Sequence, residues 1–124
     1  MEYIFTKNAP SPAGHYSQAV ISGGLVFVSG QLPIHPENGE IKSSIDEQTR
    51  QVLDNLENIL IDSGSSLGKV IKTTVYISDI SLWGEVNAIY SLRFGPHKPA
   101  RAVVPTRELH FGCLIEIEAV AERA

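Results

Sequence analysis

Apolar residues recur at two different spacings along this chain, and each change of spacing marks a new element. The runs "EYIFT", "YSQAVIS" and "LVFVSG" are rich in β-branched and aromatic residues, as pleated strands are. Gly23–Gly24 joins the second run to the third, and two residues free to take positive φ predict a tight hairpin there. "KNAPSPAGH" is turn-rich, and "PIHPENGEI" reads as a loop with a turn at Asn38–Gly39. From Ser44 the spacing lengthens: Ile45, Val52, Leu56, Ile59 and Leu60 form one helical stripe, with Thr49 between them. Ser44 and Glu47 make an S-x-x-E capping box at its start, and Gly64 closes it. "KVIKTTVYI" returns to strand composition. Trp83, Val86, Tyr90 and Phe94 predict a second helix, broken near Gly95–Pro96. Arg101 to Val104 forms a short strand stopped by Pro105, and "CLIEIEAVA" ends the chain as another.

The predicted order is therefore β-β-β-α-β-α-β-β, an α+β fold in one domain over residues 1–124. Two amphipathic helices cover one face of a sheet and leave the other open. That open face must be polar or be covered by another subunit. In the last strand Ile115, Ile117, Ala119 and Ala121 belong under the helices, while Leu114, Glu116, Glu118 and Val120 face the open side.

The 124 residues, 43% hydrophobic and 19% charged, suit a single soluble core. A formal charge of −4 without a basic block argues against nucleic acid as the main partner. No apolar run is long enough to span a membrane, and no signal peptide is legible at the N-terminus. The lone Cys113 cannot form an internal disulfide and fits a reducing cytoplasm. Four histidines lack metal-ligand spacing, so no metal is expected. "GSSLG" matches G-x-S-x-G, but a helix precedes it and a strand follows, the reverse of a nucleophile elbow.

Arg101 stands out, a cation in a strand flanked by Pro99 and Pro105. Such a group needs either a structural acid or an anionic ligand, and its planar fork suits a carboxylate. Lying in the strand before Glu116, it is expected near the same sheet face. Glu116 and Glu118, on alternate positions, read either as a solvated pair or as an acid–base pair.

"GHYSQAV", "VFVSGQLP", "EVNAIY", "KPARAVVP" and "CLIEIEAVA", in this order, resemble the reactive intermediate deaminase family, also called the YjgF or RidA family. The resemblance implies a chorismate-mutase-like fold assembled as a barrel-like homotrimer with sites between subunits. It implies hydrolysis of 2-imino acids and their enamine tautomers, such as 2-aminoacrylate, to 2-keto acids and ammonia. These substrates leak from pyridoxal-phosphate enzymes, and the deaminase itself uses no cofactor. Matched by motif, the carboxylate-binding arginine falls on Arg101 and the water-orienting glutamate on Glu116. Tyr16, Ser29, Gly30 and Asn87 fall on substrate-binding positions. Many members carry cysteine where this chain has Val103, whose backbone N–H is still placed to meet a carboxylate. The alternatives are a regulatory module that binds small carboxylates without turnover and, ranked lower, an RNA-directed translation inhibitor.

Overall fold

Every predicted element forms, in the predicted order, in the computed structural model, which describes residues 1–124. The strands are β1 (Glu2–Ile4), β2 (Ala19–Ser22), β3 (Leu25–Gln31), β4 (Val70–Ile77), β5 (Ala100–Pro105) and β6 (Ile115–Glu122). The helices are α1 (Ile45–Asp62) and α2 (Trp83–Phe94). One sheet holds all six strands in the order β1-β2-β3-β6-β4-β5. Neighbours are antiparallel except β4 and β5, which run parallel. A parallel pair needs a crossover, and α2 supplies it. No helix is long and apolar enough to cross a membrane.

Local chemistry explains the boundaries. Gly23 and Gly24 have φ of 60° and 77° and join Ser22 to its partner Leu25. Ser44 caps α1 by accepting the Glu47 N–H at 3.1 Å. The Glu47 carboxylate meets the serine hydroxyl at 3.0 Å instead of the serine N–H that a capping box predicts. At the other end Gly64 is left-handed; its N–H donates to the Ile61 carbonyl and the Ser65 N–H to that of Leu60. "GSSLG" is the loop between α1 and β4, with only a short 3-10 turn at Leu67–Lys69.

Both helices cover the same face. Val52, Leu56, Ile59 and Leu60 of α1 and Val86, Ile89, Tyr90 and Phe94 of α2 are buried with Ile115, Ile117, Ala119 and Ala121 of β6. Arg93 of α2 ties the helices together through Asp54 at 2.8 Å and Glu57 at 3.1 Å. The alternation of β6 follows the sequence except at Leu114. That residue precedes the strand, packs partly against the core, and donates its N–H to Gln48 Oε1 at 2.8 Å. The chain is still turning there, so the two-residue period does not reach it.

The opposite face is open and mixed: Val20, Phe27, Val104 and Val120 lie on it together with Lys72, Thr74, Tyr76, Glu116 and Glu118. Phe27 is 45% exposed. The loop from Thr6 to Ser17 is anchored at its start by the buried amide of Gln18. Gln18 Oε1 accepts the Thr6 N–H at 2.7 Å, and its Nε2 donates to the Thr6 and Pro10 carbonyls at 3.0 and 2.9 Å. Gln18→Leu leaves the buried Thr6 N–H without an acceptor and should cost about 1–3 kcal/mol in urea denaturation. The same variant should speed hydrogen exchange at Thr6 while α1 amides keep their order of protection.

Candidate active site

Arg101 lies in β5 opposite Thr73 of β4, a residue fully buried beneath α2. Its side chain therefore leaves the helix-covered face at the rim of the sheet. Ala102 and Val104 point the other way, in register with Thr74 and Tyr76. One guanidinium nitrogen donates to Asn87 Oδ1 at 2.9 Å. The guanidinium carbon sits 4.8 Å from the centre of the Tyr90 ring and 5.7 Å from that of Trp83. Both distances suit cation–π attraction. Trp83, Asn87 and Tyr90 are spaced i, i+4, i+7 and share one face of α2. Tyr90 is fixed in turn by a 2.7 Å hydrogen bond between its hydroxyl and that of Thr73. Burial raises the Tyr90 phenol above its ordinary pKa, so it stays neutral beside the cation.

This half-buried arginine has no carboxylate partner, and its remaining N–H groups meet no acceptor in the chain. Beside it opens a cleft of about 460 Å³, lined by Asn87, Tyr90, Phe94, His97, Lys98 and Arg101. Lys98 and Arg101 give the cleft an anion-attracting wall.

Glu116 occupies the other face. It pairs across the ladder with Tyr76, and its carboxylate lies over Gly30 of β3. A Cβ on Gly30 would overlap Glu116 Oε2 and stand 3.1 Å from Cδ, so only glycine leaves room for the acid here. The β3–β6 register shifts between Val28 and Gln31, which re-aims this stretch of β3. Burial pushes the Glu116 carboxyl above the usual carboxylate range, Glu118 adds to the rise, and His110 opposes it. The two acids are not equivalent. Glu118 accepts the Tyr76 hydroxyl at 2.6 Å, whereas Glu116 has no hydrogen-bond partner within the chain.

Ser29 does not present its hydroxyl to open space: it donates to the Ser17 carbonyl at 2.6 Å. Its N–H donates to the Gln18 carbonyl at 2.9 Å, so Ser29 fastens the loop that carries Tyr16. The Tyr16 hydroxyl accepts the Ala13 N–H at 3.2 Å, and the ring, half exposed, borders Gly30. Tyr16, Gly30, Gln31, Leu32, His110 and Phe111 line a recess of about 50 Å³, and Gly30 is the member over which the Glu116 carboxylate lies.

The sequence-predicted residues thus fall into two groups. Tyr16, Ser29, Gly30 and Glu116 gather at one end of the open face. Arg101, Asn87 and Val103 gather by α2, where Val103 pairs with Val75 and packs against the core. The expectation that Arg101 shares a face with Glu116 is corrected: their registers, opposite Thr73 and Tyr76, lie an odd number of residues apart on β4. Sequence reasoning passed over Trp83 as part of a core stripe, yet it is 41% exposed and faces the guanidinium. Its spacing to Asn87 and Tyr90 was the available signal. His110 and Phe111 carried no recognisable motif.

Residues 6–123 match the family described as Endoribonuclease L-PSP. A RutC family protein of Pyrococcus horikoshii is 50% identical over 121 residues, covering 97% of this chain and 96% of the relative. The 2-iminobutanoate/2-iminopropanoate deaminase of Escherichia coli is 40% identical over 123 residues, covering 97% and 96%. The solved structure of E. coli TdcF with bound serine superposes with a TM-score of 0.96 at 37% identity over the full length of both chains. Sequence and fold agree from end to end, and the chain belongs to the L-PSP family, whose members also carry the names YjgF, RidA and RutC.

Proposed function

We propose that the protein hydrolyses small 2-imino acids and their enamine tautomers to 2-keto acids and ammonia. The observation that carries this reading is Arg101: a half-buried cation with no acid to neutralise it, held in place by Asn87, Tyr90 and Trp83. An α-carboxylate is the partner it lacks. Each charge-assisted hydrogen bond to such a group contributes about 1.5–3 kcal/mol, enough to select acids over neutral imines. The amino acid bound to E. coli TdcF has this carboxylate, and the deaminase name of another relative supports the chemistry.

An imine carbon is already electrophilic, so the reaction needs orientation and proton handling more than a strong nucleophile. Glu116 takes a proton from water as the oxygen bonds to the imine carbon. It returns that proton to the imine nitrogen, giving a neutral carbinolamine. It then carries the hydroxyl proton to the same nitrogen as the C–N bond breaks, so that ammonia and the keto acid leave and the carboxylate is regenerated. A carboxylate held above its ordinary pKa is suited to both transfers. Tyr16, Gly30 and Asn87 line the substrate, and Ser29 and Val103 support the two walls. The reaction requires no cofactor, and its substrates come from pyridoxal-phosphate enzymes that eliminate water from amino acids.

Arg101 and Glu116 leave opposite faces of one sheet, so the reading requires two chains per site. A homotrimer covers the open face and brings the Arg101 rim of one subunit to Glu116 of the next. A second reading, carboxylate binding without turnover, is favoured by Val103, which packs into the core and offers no polar side chain.

Three experiments decide between them. With 2-aminoacrylate supplied by a serine dehydratase, the wild-type protein should accelerate ammonia release, and Arg101→Ala should abolish the acceleration with unchanged circular dichroism. Binding of 2-ketobutyrate without any acceleration would establish the second reading. Next, Arg101→Ala and Glu116→Gln chains, unfolded and refolded together, should recover about a quarter of wild-type activity, because random assembly gives that share of intact composite sites. No recovery would place both residues in one chain's site. Finally, the raised pKa of Glu116 means that the folded protein holds a proton the unfolded chain has already lost. Stability is then greatest below the ordinary carboxylate pKa and declines as pH rises through the shifted value. Urea titrations of Glu116→Gln should lack this decline, while wild-type turnover should rise over the same pH interval.

A further inference from the structure

Two of the residues that α1 buries are amides, Gln48 and Asn55, in a helix whose other buried positions are apolar except for Thr49. They are seven residues apart and share one face of the helix. Burying an amide is destabilising unless its hydrogen bonds are made, and both make theirs to loops outside the helix. Gln48 Nε2 donates to the Lys42 carbonyl at 2.7 Å, and its Oε1 accepts the Leu114 N–H at 2.8 Å. Asn55 Nδ2 donates to the carbonyls of Leu32 and Ile34 at 3.0 and 2.9 Å. Gln51 Nε2 donates to the Asn55 Oδ1 at 2.9 Å and so fixes which end of that amide faces the loop. The bonded segments adjoin the two strands of the acid's site. Glu116 lies two residues beyond Leu114, and Gly30 two before Leu32.

The sheet does not fix this corner by itself. The β3–β6 ladder shifts between Val28 and Gln31, so neither Ser29 nor Gly30 has a register partner on β6, and Glu116 has none on β3. Pairing with Tyr76 of β4 holds Glu116 along one side only. The chain also enters β6 from a tight turn, in which Phe111 holds a left-handed backbone at φ 60°. That conformation is costly in a bulky residue and persists only where neighbouring structure over-determines it. The bond from Leu114 to Gln48 secures the far end of that turn.

We infer that Gln48 and Asn55 are positioning residues that hold the Glu116 carboxylate against Gly30. The inference rests on the imine-hydrolase reading for what Glu116 does, though not for where it is held. Gln48 draws the start of β6 onto α1, and Asn55 draws the end of β3 onto the same helix. One helix thus sets the distance between two strands at the point where their own ladder leaves it open. Loss of either amide frees the carboxylate to leave Gly30 and gain water. Misplacing a reacting group by about 1 Å costs on the order of a hundredfold in rate. Added water also favours the ionised form of an acid.

Gln48→Met keeps the volume and removes the acceptor, and Asn55→Ala removes the donors from the other side. Each should slow ammonia release from 2-aminoacrylate by about 10–100-fold, while affinity for 2-ketobutyrate, which reports the Arg101 half, stays at the wild-type value. Followed by NMR, the Glu116 carboxyl should titrate closer to the ordinary carboxylate range in both variants, with its charged neighbours Glu118 and His110 unaltered. Gln48→Glu retains an oxygen for the Leu114 N–H and should keep most of the turnover that Gln48→Met loses. Val52→Ala removes fully buried packing from the same helix but neither loop bond, so it should be less stable and still turn over like wild type. Gln48→Met and Asn55→Ala that turn over as fast as Val52→Ala, or a Glu116 titration that moves in neither, would overturn the inference. Should wild type release no ammonia, the proposed reaction fails and the titration alone decides the positioning. Should wild type be active and both variants match it, the reaction stands and the positioning is wrong.

Discussion

The cation at Arg101 governs the rest of the structure. A guanidinium that is half-buried without a counter-charge loses hydration, and the protein offsets the loss only partly. One amide oxygen on Asn87 and the electron-rich faces of Tyr90 and Trp83 stabilise the positive charge without neutralising it. A carboxylate in their place would be stronger and would also fill the fork. The choice of neutral partners keeps the donors oriented and leaves their charge available. Thr73 extends this arrangement into the core through the Tyr90 hydroxyl, so the position of the cation is coupled to the packing of α2 on the sheet.

The second half of the site is built on the opposite principle. Around Glu116 the fold removes groups instead of adding them. Gly30 gives up its side chain, Ser29 turns its hydroxyl toward Ser17, and Tyr76 is taken by Glu118. What remains is an acid with little solvation and no donor, which is why its proton affinity rises. One sheet therefore carries a permanent positive charge on one face and an easily protonated acid on the other. A single molecule keeps them apart, and in the proposed homotrimer association of several copies joins them.

Much of this was legible in the sequence wherever the signal was local. Gly23–Gly24, the Ser44 cap, the α1 stripe and the alternation of β6 each depend on residues within a few positions of one another. The motif resemblance pointed to Arg101 and Glu116 as candidates. Their relative orientation was not legible, because β5 reads Ala-Arg-Ala-Val-Val-Pro and gives no clear contrast between its two faces. The strand order, with β6 between β3 and β4, depends on long-range pairing that no short stretch encodes. The left-handed Phe111 was hidden for a different reason: only glycine advertises that conformation. The role of Trp83 was masked because an aromatic at helical spacing reads first as core.

The position of β5 at the margin of the sheet has a consequence for the molecule in crowded solution. An edge strand offers unpaired backbone groups on which foreign chains can add and aggregate. Here that edge spans only Ala100 to Pro105, begins immediately after Pro99, and ends on a residue with no N–H to donate. Extended strand addition is thereby cut short at both ends. The same two prolines that bracket Arg101 also let the protein display it at an open border without inviting fibrous growth.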